Sequence, residues 1–112
     1  MKNTILLVTT NGMGRADDKL QQTLIAKYIE LLAQHEDLPA AICFYTDGVK
    51  LVCEGSPILA ELQAIETRGV RLIVCSTCLN YFQLSDQIRV GIVGGMGDIM
   101  EAQRQAEKVI TL

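Results

Sequence analysis

The stretch best suited to chemistry is Cys75-Ser76-Thr77-Cys78, which places two thiols three positions apart. It lies where the largely apolar run Val70 to Val74 gives way to what reads as a short helix. A free cysteine titrates near ~8.5, leaving about 3% thiolate at neutral pH, whereas a helix N-terminus or a CxxC partner can bring it to roughly 7. About half of the sulfur would then be nucleophilic at neutrality. The placement predicts a lowered thiol pKa and points to thiol, disulfide or persulfide work. Ser76 or Thr77 is the expected cap, which leaves Cys78 in the first turn among unpaired backbone N–H groups. Either sulfur can carry chemistry, the two can close a disulfide, and Cys75 can equally be just the last buried residue of its strand.

Other candidate residues follow from strand ends. In an open parallel sheet, ligands bind beyond the carboxyl ends of the strands, where helix N-termini also point. Four segments leave strands there: Asn11-Gly12-Met13-Gly14, Glu54-Gly55-Ser56, Cys75 to Cys78, and Gly94 to Gly97, including Gly95 and Met96. One cleft is the economical expectation. The first segment lacks both common nucleotide-loop patterns, and Asp17 and Asp18 would repel a phosphate. Its glycines are expected to make tight turns that let backbone approach the cysteines. Glu54 is a candidate proton donor or acceptor or a solvated surface carboxylate. His35, the sole histidine, fits a helix C-terminus better than a nucleophile pair. Cys43 and Cys53 sit in apolar runs and read as core, and their spacing gives no second ligand pair for zinc, so no metal or cofactor is expected.

The elements that must position these residues alternate in type. Thr4 to Val8, Ala40 to Tyr45, Val49 to Cys53, Arg71 to Cys75 and Arg89 to Val93 read as about five strands, with a turn at Asp47-Gly48. A first helix is capped by Asp17 and carries Leu20, Leu24, Tyr28, Leu31 and Leu32 on one face. Ser56-Pro57 predicts the start of a second helix that Gly69 ends. Leu79 to Leu84 reads as a short helix, and Ile99, Ala102, Ala106 and Val109 line the last one. Such alternation implies right-handed crossovers, a mostly parallel sheet and helices on both faces.

Composition bounds the function. The 112 residues make one domain, 1–112, with 49% hydrophobic and 21% charged residues, a globular balance that excludes a disordered chain. A net charge of −3 without a basic cluster argues against nucleic-acid binding. Ile5 to Val8 is too short for a signal-peptide core or a membrane span, so a cytoplasmic protein with reduced thiols is expected.

Several segments together resemble the DsrE/DsrF/TusD-like superfamily of small sulfur-relay proteins. They are Met13-Gly14-Arg15 with Asp17-Asp18 and Leu20, Asp47 to Leu51, Glu54-Gly55-Ser56-Pro57, Gly69-Val70, Cys75 to Leu79 and Val90-Gly91. The nearest likeness is to the C-terminal domain of YedF-type sulfurtransferase-like proteins of selenium metabolism. The resemblance implies a single-domain, flavodoxin-like α/β three-layer sandwich and a homo-oligomer (dimer, trimer or hexamer). It further implies persulfide transfer between donor and acceptor proteins. One branch points to Cys75 as the carrier and the nearer branch to Cys78. Departures at Ala16, Ser76 and Gly94-Gly95 fall in the expected cleft. The leading expectation is a sulfur carrier rather than a turnover enzyme. A dithiol oxidoreductase and a non-catalytic small-ligand-binding or assembly module are the alternatives.

Overall fold

The three central strands are continuous apolar runs because both of their faces are covered, and they draw the rest of the chain around them. The computed structural model describes all residues from Met1 to Leu112. Strands β1 (Thr4–Val8), β2 (Ala41–Phe44), β3 (Arg71–Cys75), β4 (Ile92–Gly94) and β5 (Lys108–Thr111) form one sheet in the order β4-β3-β2-β1-β5. Every pairing is parallel, with Leu6 opposite Ile42 and Ile110, and Cys75 opposite Gly94. The helices are α1 (Asp18–Gln34), α2 (Leu59–Thr67), α3 (Ser76–Tyr81) and α4 (Met96–Gln105). From β1 to β4 the chain steps in one direction across the sheet, then returns past β1 to place β5. Right-handed crossovers therefore put α1, α2 and α3 on one face and α4 on the other. The result is the flavodoxin-like α/β sandwich, with a strand order of its own.

Local chemistry explains the boundaries. Asp17 caps α1 by accepting from the Leu20 N–H at 2.9 Å. The carboxyl end of α1 is closed by a side chain from elsewhere: Arg68, just after α2, donates to the carbonyls of Ala33 at 2.9 Å and His35 at 2.7 Å. His35 is the C-cap residue through its backbone, so the cation at this negative helix end is Arg68 and not the histidine.

Four expectations need correction. Leu20, Leu24 and Leu31 of the expected α1 face are exposed, and the helix buries Gln21, Ile25 and Ile29 together with Leu32. Val49 to Cys53 is not a strand: Thr46–Val52, including the expected Asp47-Gly48 turn, is a 3-10 helix across the ends of β1 and β2. Gly48 makes this possible, since a Cβ there would stand 2.0 Å from the Val8 carbonyl oxygen. The last helix stops at Gln105, and Val109 belongs instead to β5, the strand that completes the five. Finally, Ser56 does not cap α2. Its hydroxyl accepts from Ile58 N–H at 3.3 Å in a preceding turn, and the helix starts at Leu59 with Ile58 as N-cap. Smaller shifts move the fourth strand to Ile92–Gly94 and the short helix to Ser76–Tyr81. Gly69, at φ +101°, does end the second helical segment.

No helix is long and apolar enough to cross a membrane.

Candidate functional site

The site is built where β3 runs without a loop into α3. Cys75 is both the last residue of β3 and the N-cap of α3, with no side-chain capping bond. Ser76 and Thr77 are the first two helical residues, not caps, and Cys78 is the third. Cys75 is only 2% exposed, whereas Cys78 is half-buried. The two thiols neighbour one another across the first turn. All four cysteines are free.

A residue from another element completes the arrangement. The Thr46 backbone N–H donates to the Cys78 Sγ at 3.1 Å, joining positions 32 residues apart. Thr46 holds this direction at φ +50°, an uncommon conformation for a β-branched residue. Its hydroxyl pins the strained turn by sharing its single proton between the Thr9 carbonyl and the Tyr45 carbonyl. Strain maintained by surrounding bonds clusters at functional sites. Nothing in the sequence marks Thr46, because its role arises from its φ angle and from packing of the 3-10 helix against α3.

The electrostatics differ from expectation. Burial pushes the Cys78 thiol up from its ordinary range; the Thr46 N–H opposes this, while Cys75 and the Asp47 carboxylate add to the rise. Burial likewise raises Cys53, and takes Cys43 to about 11 against partial compensation by Arg71. The empty Cys78 site is therefore mainly a neutral thiol at neutral pH.

Beside it runs a groove in two parts. One is a cavity of about 490 Å³ whose wall includes Asn11, Lys50, Cys53, Glu54, Ser56 and Phe82, with Gly55 also lining it. The other, about 330 Å³, is entirely polar and includes Thr10, Asn11, Arg15, Asp18, Asp47 and Lys50. Lys50 borders both, pairing with Asp47 at 2.7 Å and lying 4.5 Å from the Phe82 ring centre. Asn11, Glu54, Gly55 and Ser56 thus come together as expected, but neither Cys75 nor Cys78 lines the cavity. Glu54 is paired with Arg89 at 2.8 Å. The Gly12-Met13-Gly14 loop is fastened to α1: Met13 N–H donates to the Gln21 carbonyl at 3.0 Å, and Gly12 packs directly on Gln21. Gly95 caps α4 and its N–H donates to Asp98 at 2.8 Å, with exposed Met96 next to it. Their place beside the β3 end follows from the Cys75–Gly94 pairing. No three His, Cys, Asp or Glu side chains gather as a metal-binding cluster.

Comparison with known proteins agrees with this architecture over nearly the whole chain. The DsrE/DsrF-like family matches residues 3–112. The chain belongs to the DsrE/DsrF-like family. Solved structures with the same fold include the ychN protein from E. coli, at 21% identity, TM-score 0.70 and full coverage of both chains. The protein of unknown function MTH1491 from Methanobacterium thermoautotrophicum is 20% identical, with TM-score 0.69 and 97% of each chain covered. BT1422 from Bacteroides thetaiotaomicron, also of unknown function, is 17% identical, with TM-score 0.69 over 98% of this chain and 95% of its own. No curated protein sequence matches. The DsrE/DsrF-like family is associated with sulfur relay among partner proteins.

Proposed function

We propose that this DsrE/DsrF-like protein carries sulfane sulfur as a persulfide on Cys78, receiving it from one protein partner and passing it to another in the cytoplasm. The observation that supports this reading is the Thr46 N–H bond to the sulfur of the more accessible thiol of the pair. A persulfide is a stronger acid than the thiol it forms on, so loading converts a neutral site into an anionic one. The Thr46 N–H holds Cys78 Sγ, the inner sulfur of that persulfide, and so helps to fix the direction in which the charged outer sulfur projects. The raised thiol pKa then has a use: the empty carrier resists adventitious oxidation and becomes charged only with cargo.

The test is incubation of the reduced protein with a cysteine desulfurase and cysteine, followed by mass mapping. Sulfur is expected on Cys78 in the natural sequence sampled early and in Cys75→Ala, and not on Cys75 in Cys78→Ala. Sulfur on Cys75 alone, or on no cysteine of Cys75→Ala, overturns the assignment. We further propose that copies of the chain associate, covering exposed Ile92, Val93, Met96 and Met100 at the β4 edge and leaving the Cys78 sulfur open.

A further inference from the structure

We propose that Cys75 gives this protein a second activity: it releases the sulfur of a Cys78 persulfide as hydrogen sulfide, leaving a Cys75–Cys78 disulfide. The step rests on the carrier reading above. Three observations lead to it. Cys75 is the N-cap of α3 and Cys78 the third helical residue, so the pair is spaced one turn apart on the same helix face and the thiols are neighbours. The Cys75 thiol makes no capping bond and is hydrogen-bonded instead with the Cys78 side chain, the group it would attack. It is also 2% exposed, so an external disulfide or persulfide cannot reach it and Cys78 is the one reactive sulfur within its range.

In the step, the Cys75 sulfur attacks Cys78 Sγ, the inner sulfur of the persulfide. The Cys75–Cys78 S–S bond forms as the bond from Cys78 Sγ to the outer sulfur breaks. Leaving from the persulfide anion, the outer sulfur takes the bonding pair and the Cys75 thiol proton to become hydrosulfide, which takes one proton from solvent to give hydrogen sulfide. The outer sulfur is reduced to sulfide and the Cys75 sulfur is oxidised to the disulfide level, so no external oxidant enters. An external dithiol reductant then returns both cysteines to thiols. Holding the two groups on one rigid strand-to-helix junction makes the attack intramolecular, which favours it over reaction with dilute solution thiols.

The experiment loads the full chain with inorganic polysulfide, removes the excess by desalting, and follows intact mass and released sulfide without added reductant. Natural protein is expected to pass from a gain of one sulfur atom to a loss of two hydrogens, releasing one sulfide per chain. Cys75→Ala and Cys75→Ser should hold the persulfide at least about tenfold longer, losing it only when an external thiol is supplied. A circular dichroism spectrum like that of the natural protein, with the buried Cys43 and Cys53 left unloaded, shows that these variants are folded. If natural protein and both variants load and decay alike, the Cys75 step is wrong while the carrier reading stands. If Cys78 takes up no sulfur in any of them, both are overturned.

Discussion

Replacing Thr46 separates the two roles its residue plays, and the structure predicts opposite results for glycine and valine. Thr46 occupies φ +50°, which costs an L-residue about 1–2 kcal/mol and is easiest for glycine. Its hydroxyl bonds to the Thr9 and Tyr45 carbonyls hold that conformation and, being exposed, together contribute on the order of 1 kcal/mol. Thr46→Gly loses the bonds and pays more backbone entropy, but removes the strain. Its stability should stay within about 1 kcal/mol of the natural protein, and the N–H should still point at Cys78. Thr46→Val keeps the branched side chain and the strain with nothing to hold it. The peptide should relax to an extended conformation, cost about 1–2 kcal/mol of stability, and withdraw the N–H from the sulfur.

A hydrogen bond to a charged group contributes about 1.5–3 kcal/mol, equivalent to roughly one to two pKa units. Losing it removes stabilisation from the thiolate and not from the thiol, so the Cys78 pKa rises further in Thr46→Val. Below that pKa, alkylation follows the thiolate fraction and should slow by about tenfold or more at neutral pH. The assay is the pH dependence of iodoacetamide labelling at Cys78, read by peptide mass, beside urea unfolding of each variant. Coincident labelling profiles for the glycine and valine variants would refute the argument that the left-handed turn aims the N–H.

Three further outcomes follow from the packing. Gly48→Ala should cost about 2–3 kcal/mol in urea unfolding, because its Cβ would drive the 3-10 helix off the Val8 carbonyl; an unchanged midpoint would show that the turn is not tied there. Cys43 has its pKa raised from 9.0 to about 11, chiefly by burial, so the folded protein keeps a proton that the unfolded chain has lost between those values. Its contribution is whole below pH 9.0 and is lost as pH rises toward about 11. The loss is on the order of 2 kcal/mol, and unfolding of Cys43→Ala should show that much less dependence on pH across the window. Ile92→Asp should shift any assembly toward monomer in sedimentation velocity while leaving Cys78 labelling intact; unchanged sedimentation of an assembled protein would place the interface elsewhere.

The parts of the fold legible in the sequence are those in which one force acts alone. β1, β2 and β3 are buried on both faces and read as unbroken apolar runs, while α1 has a strong cap, although the face it buries is Gln21, Ile25, Ile29 and Leu32, and Leu20, Leu24 and Leu31 of the expected stripe are exposed. The misreadings fall where two signals coincide. Val49, Leu51 and Val52 are buried and β-branched or aliphatic, which suggests a strand, yet Gly48 allows the chain to wind tightly over the end of β1. Val109 follows Ala102 and Ala106 at helical spacing, but Glu107 and Lys108 N–H groups bond to the Asn3 carbonyl and draw the chain alongside β1. An edge strand of four residues with two polar members has no apolar run to announce it.

The candidate site divides in the same way. The thiol pair was legible because a strand-to-helix junction is a local event, and Asn11, Glu54, Gly55 and Ser56 were legible because parallel topology gathers strand ends. The acidity of Cys78 was not, since it is a balance between burial, set by the whole fold, and one N–H from a residue 32 positions away. That balance also explains how a site with a weakly acidic thiol can serve transfer. A thiol acidified before loading would be open to every oxidant and electrophile, whereas a neutral thiol held by a fixed donor is spared until sulfur is delivered to it. The strain at Thr46 is then a cost borne by the fold for a hydrogen bond that orients the carrier sulfur, with Cys75 placed behind that sulfur and Thr46 beside it.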